Sequence, residues 1–171
     1  MHQSASIGAK ARIDNPALQP LAFLVGEWRT TGTHPEMAGE TLTGRTSFSW
    51  HEGGAFLLMR SEVECPEFPD GVAIFGSDDS AGAATMIYFD ERGLSRHYDV
   101  TLGNRTVTWR RDNQDLSQTV TITAENDGGV LIGKGRMAIA GGPWGDDLSQ
   151  VFHREDGLHN PPLAWSSGAQ R

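Results

Sequence analysis

Arg96 and Tyr98 stand two apart in Leu94-Ser-Arg-His-Tyr-Asp-Val-Thr-Leu102, and on a strand residues two apart face the same way. A guanidinium and a phenol on one face could both reach one carboxylate, the guanidinium offering a planar double donor. The competing reading pairs Arg96 internally with Glu62 or Asp99. His97 and Asp99, with His51, Glu52 and Cys65 elsewhere, supply the residue types of a hydrolase, but no Gly-x-Ser-x-Gly elbow, His-Glu-x-x-His pair or phosphate loop spaces them for that chemistry. No catalytic residue is therefore assigned, and an enzyme using the same cavity stands as the alternative function. His97, opposite Tyr98 on its strand, reads as solvent-facing. Cys65, just before Pro66, reads as a packing residue. As the single cysteine it excludes an intrachain disulfide and a cysteine-based metal site in the monomer. The glycines of Leu131-Ile-Gly-Lys-Gly-Arg136 precede no helix, so they mark a barrel bend, or room for a bulky neighbour such as Trp28, instead of a phosphate cradle.

These residues need a frame, and the sequence supplies one around Leu21-Ala-Phe-Leu-Val-Gly-Glu-Trp28. Before it, Asn15 as N-cap, Pro16 at the first helical position and apolar residues at 18, 21, 22 and 24 predict a short helix. After it the spacing drops to two. Gly26 lets the backbone turn between the periods, and Trp28 supplies a flat side chain that can close one end of a barrel. Strands are expected over 25–33, 40–50, 55–65, 72–77, 84–90, 94–102, 105–111, 116–124, 130–138 and 147–154, separated by Gly, Pro, Asn and Asp turns. Most turns are of hairpin length, so the expected fold is all-β: a ten-stranded antiparallel up-and-down barrel with a short N-terminal helix. The expected domain spans 15–157, with an arm over 1–14 and a tail over 158–171 that carries Trp165.

A lumen of this strand number is filled by side chains or holds a ligand. Apolar faces interrupted by single polar groups are the usual wall of a small-molecule site. The wall candidates are Trp50, Leu58, Arg60, Tyr88, Arg96, Tyr98, Trp109 and Gln118. For the third strand the inner face stays open, because Leu57, Met59, Val63 and Cys65 alternate with Phe56, Leu58, Arg60 and Glu62. The expected partner is a small hydrophobic or amphipathic molecule. With 171 residues and a net charge of −8 the chain is one domain whose field repels phosphate backbones and anionic membranes, so nucleic acid and membrane are not expected. The lone cysteine and the lack of a leader-like apolar run suggest the cytoplasm. No apolar stripe compels a homodimer, which stays open.

Phe23-Leu-Val-Gly-Glu-Trp28, Glu52-Gly-Gly-Ala-Phe-Leu-Leu58, Tyr88-Phe-Asp-Glu-Arg-Gly93, Ser95-Arg-His-Tyr98, Trp109-Arg110 and Ser117-Gln118 occur in that order. As a set they resemble a bacterial lipocalin-like family, a calycin-type domain of unknown function, over about residues 15 to 155. The resemblance implies a barrel of about ten strands with no assigned activity. More distantly the chain is similar to nitrobindin and the fatty-acid-binding barrels, which implies a ligand entering at the end away from the helix and Trp28. Nitrobindin-like barrels hold haem through a histidine on the last strand, and His153 is the weak candidate here. It falls near the strand's end, whereas the matching position lies nearer Asp146 and Asp147. No cofactor is therefore expected. By analogy with lipocalins, either Lys134 or Arg154 caps Trp28 from outside.

Overall fold

In the computed structural model, which describes residues 15–78, 83–125 and 127–155, ten strands form one closed antiparallel barrel. They are β1 (Gly26–Thr33), β2 (Leu42–His51), β3 (Phe56–Val63), β4 (Gly71–Ser77), β5 (Ala84–Asp90), β6 (Ser95–Gly103), β7 (Thr106–Arg111), β8 (Leu116–Glu125), β9 (Val130–Ile139) and β10 (Gly145–Arg154). Each pairs with its sequence neighbours, and β1 closes on β10 through pairs from Trp28–Arg154 to Thr33–Ser149. Closure leaves no open edge. The arm over 1–14, the tail from 158 with Trp165, and part of the turn after Asp78 lie outside the described residues. Among those described, no helix is long and apolar enough to cross a membrane.

The lead-in Pro16–Leu24 is a 3-10 helix. Its fully buried residues are Leu18, Leu21 and Leu24, spaced by three, the repeat that puts side chains on one edge of a three-residue turn. Pro20 lies inside it and has no N–H for a longer-range helical bond. Asn15 caps it, accepting from the Ala17 amide at 3.1 Å and donating to Ser77 Oγ at 2.8 Å. This helix plugs one end of the barrel.

The latch beside it is built from Trp28 and Arg154. Trp28 is fully buried, and its Nε1–H donates to Leu24 O at 2.8 Å, tying strand to helix. The Arg154 guanidinium lies 4.2 Å above the indole and donates to Val25 O at 2.9 Å. Lys134 is exposed and faces away, so Arg154 is the cap. Gly26 has a φ of +142°, and a Cβ there would collide with the Arg154 guanidinium. The positive φ is what requires glycine, while the guanidinium would have to shift to admit a Cβ.

β3 turns Leu57 and Met59 inward, while Phe56 and Arg60 are exposed. On the outside, Leu58 sits beside Ile74 of β4, which sits beside Ile87 of β5. An apolar row thus crosses the outer face, which is why the third strand looked apolar on both sides.

Candidate functional site

Alternation along the strands decides what faces the lumen. β5 contributes Met86 and Tyr88, β6 Arg96 and Tyr98, β7 Trp109, and β8 Gln118, Val120 and Ile122. With Thr46, Met59 and Phe152 on the far side they surround a cavity of about 570 Å³, a size that suits small-molecule ligands. Its apolar depth is floored by a cluster that includes Trp28, Phe48 and Phe75. Trp109 meets Phe75 edge-on, with ring centroids 5.8 Å apart. The mouth is framed by His34, Glu36, Met37, Glu67, Phe68 and Arg92, all from connections or turns at the end away from the latch.

A chain of hydrogen bonds crosses this cavity. The Tyr98 hydroxyl donates to Gln118 Oε1 at 2.6 Å, and Gln118 Nε2 donates to Asp147 Oδ2 at 2.5 Å. Asp147 Oδ1 lies 3.2 Å from His34 Nε2. The Glu36 amide donates to His34 Nδ1 at 3.2 Å. An acceptor at Nδ1 places the neutral ring's proton on Nε2, so every donor in the chain points toward Asp147. Asp147 and His34 are each 7% exposed, and no buried side-chain polar atom among the described residues lacks a partner. His34 also caps the short helix Pro35–Met37 and packs edge-on against Phe68 at 5.1 Å. The network therefore fixes two mouth segments to the wall.

Asp147 reaches the lumen because of a β-bulge. The β9–β10 register shifts between Asp146 and Ser149, so Asp147 leaves the outward phase of Ser149, Val151 and His153 and turns in. Gly135 makes room: a Cβ there would come within 2.6 Å of Leu148 O. A Cβ on Gly133 would meet Phe152 at 3.0 Å. The room these glycines leave is thus filled by β10 and Phe152, not by Trp28.

The second polar cluster sits at the mouth. Arg92 Nη2 donates to Asp90 Oδ2 at 2.7 Å, and the Asp90 side chain is fully covered. That bond holds the Asp90 carboxyl below its ordinary range. Burial first, and then the Asp90 charge, pushes the Tyr88 phenol up to about 12. Burial likewise raises Tyr98, against the pull of the Arg96 and Arg111 charges.

Of the wall residues expected from sequence, Tyr88, Arg96, Tyr98, Trp109 and Gln118 line the cavity. Leu58 and Arg60 do not, since the β3 phase turns them outward. Trp50 is half-buried at the latch end, beside Pro16 and Gln19, and does not line the lumen. Tyr98 gives its proton to Gln118, so it cannot serve beside Arg96 as a second free donor. Neither Glu62 nor Asp99 pairs with Arg96: both are exposed on the outside of their strands. His97 is exposed on the outer face of β6, and Cys65 lies in the β3–β4 connection, donating to Glu67 Oε2 at 2.9 Å. The hydrolase-type residues are therefore not brought together. His153 is exposed on the outer face of β10 between Arg29 and Val130, so it does not fit as an axial ligand for a haem in the lumen. No group of three His, Cys, Asp or Glu residues among those described converges to hold a metal ion.

His34 and Asp147 are the site residues that strand reasoning missed. His34 lies outside any periodic run, and its one sequence signal is the Pro35 that follows it at a helix start. For Asp147 the signal was Gly135, the small residue opposite the bulge.

No model of a known protein family matches the chain, and no curated protein matches it. A solved structure does. Rv2717c from M. tuberculosis superposes with a TM-score of 0.59 at 17% sequence identity, covering 82% of this chain and 98% of that one. What this likeness shows is the fold.

Proposed function

We propose that the protein is a lipocalin-like container that reversibly binds a small, partly apolar molecule in its lumen. The observation that carries this reading is the cavity of about 570 Å³, apolar at depth and polar toward an open mouth. A lumen serving only as structural core would be packed to the density of protein interiors. Here Met59, Met86, Trp109, Val120 and Ile122 border free space, and burying a ligand's apolar surface against them contributes roughly 25 cal/mol per Å² before the costs of association. Tyr98, Gln118, Asp147 and His34 already satisfy one another, so the polar wall stands preorganised without a ligand. Preorganisation lowers the cost of binding.

Native mass spectrometry of freshly purified protein, with its visible absorption spectrum, tests the reading. The expected result is a discrete added mass that leaves on denaturation, or stoichiometric uptake of an added apolar probe. A clean unliganded mass with no uptake of any apolar probe would contradict it.

A further inference from the structure

We propose that residues 7–13 of the N-terminal arm lie extended across the outer face of β3, β4 and β5, where their apolar edge covers an exposed strip of the barrel wall. None of the wall residues in that strip lines the cavity, so this strap and the container stand or fall separately.

Ala73 and Phe75 of β4 and Met86 of β5 are buried, so their neighbours in sequence point outward. Leu58, Ile74 and Ile87 stand side by side across three strands. Phe56 leans toward Gly76, where a Cβ would lie 3.8 Å from its ring, and Val72 pairs with Phe89. Phe56 is 43% exposed, Ile74 37% and Phe89 44%. Together these six side chains form a patch of a few hundred Å², the size at which exposed apolar surface marks an interaction site. It falls short of the roughly 800 Å² per partner that a stable pair of copies would need.

Where the arm leaves the barrel and how it is patterned identify the occupant. Asn15 donates from its backbone amide to Gly54 O at 3.3 Å, and from Nδ2 to Ala55 O at 3.4 Å and Ser77 Oγ at 2.8 Å. These partners lie where β3 begins and β4 ends, so the arm starts at the rim of the strip, beside Phe56. In Ile7-Gly-Ala-Lys-Ala-Arg-Ile13, the residues Ile7, Ala9, Ala11 and Ile13 alternate with Gly8, Lys10 and Arg12. In an extended chain that spacing puts the four apolar residues on one edge. Ile7 to Ile13 spans about 20 Å when extended, and Phe56 to Phe89, two strands across and four residues along, spans about 17 Å. Ile13 thus falls on Phe56 and Ile7 on Phe89, with the small Ala9 and Ala11 passing over Ile74. Lys10 and Arg12 give the segment a positive edge in a chain of net charge −8, and the exposed Glu62 and Asp99 flank the strip.

Isoleucine δ1-methyl NMR of the full chain tests the strap. The expected result is ring-current-shifted Ile7 and Ile13 methyls, with cross-peaks from Ile13 to the Phe56 ring and from Ile7 to the Phe89 ring. Combining Ile7→Asp with Ile13→Asp should remove these and move the Ile74 and Ile87 methyls, while Ile122, on the lumen wall, stays in place and reports that the barrel is folded. Unshifted arm methyls with no cross-peak to either ring would overturn the assignment. So would Ile74 and Ile87 signals that ignore the double variant, or that move with protein concentration, which would give the strip to a second copy of the chain.

Discussion

The chain has only two tyrosines, Tyr88 and Tyr98, and both face the lumen, so phenolate absorbance reads this cavity with no background. Raising the pH is the perturbation. Burial, reinforced by Asp90, pushes Tyr88 from the ordinary 10.0 up to about 12. Burial raises Tyr98 as well, with Arg96 and Arg111 opposing it. A tyrosine whose pKa is raised by folding contributes stability that is complete below the unfolded value and is lost as pH climbs through the folded one. For Tyr88 that window runs from 10.0 to about 12, and because solvent screens the partly exposed phenol the loss across it is smaller than the roughly 2.7 kcal/mol that a full two-unit shift carries. The assay is a spectrophotometric pH titration, with near-ultraviolet circular dichroism followed on the same samples. Little phenolate should form near pH 10, and the late rise should coincide with loss of the tertiary signal. Arg96→Gln should delay the Tyr98 component, since it removes a charge that favours phenolate. Two tyrosines titrating near 10 in protein that keeps its circular dichroism would refute this account of the lumen.

Asp147→Ala strips an acceptor from both Gln118 and His34 and should destabilise by about 2–3 kcal/mol, the cost of leaving buried donors unmet; urea unfolding measures it, and a change below about 0.5 kcal/mol would count against the network. Gly26→Ala forces a side chain onto a φ of +142° and into Arg154, so it should cost more than Arg154→Ala. The latter gives up the contact with Trp28 at 4.2 Å and should cost about 1–2 kcal/mol; thermal melts rank the two, and the reverse order would show the latch to be misassigned. The hydrogen bond to Glu67 raises the Cys65 pKa. Alkylation should therefore be slow at neutral pH and faster in Glu67→Gln, and equal rates would remove Glu67 from that role.

Much of the barrel is legible in sequence because one face of most strands is buried. In β5, Ala84, Met86 and Tyr88 alternate with Thr85, Ile87 and Phe89 and meet matching partners in β6; a slip of one residue would turn Tyr88 and Arg96 outward. Gly26 and Trp28 likewise announce the latch, because the backbone turn and the flat ring each demand a particular residue type. The third strand withholds its orientation: Leu58 belongs to an apolar row on the outer surface, so hydrophobicity cannot distinguish its faces. Asp147 is hidden for another reason. Strict alternation groups it with His153, and only the register shift opposite Gly135 turns it inward. His34 acts from a connection, where no period exists to read. The site is thus legible where strands are regular and silent at the bulge and the mouth, where its buried acid and its histidine were found.

The most direct test of the container is to fill it. Val120 and Ile122 lie on the wall of the cavity, and Val120→Trp would occupy that space from a strand whose outer contacts are unchanged. A neutral fluorescent apolar probe is titrated into the unaltered chain and into the folded variant. The account predicts saturable one-to-one uptake by the former and at least about a tenfold loss of affinity in the latter, a difference of about 1.4 kcal/mol. Equal uptake by both proteins would place binding outside the lumen and contradict the claim.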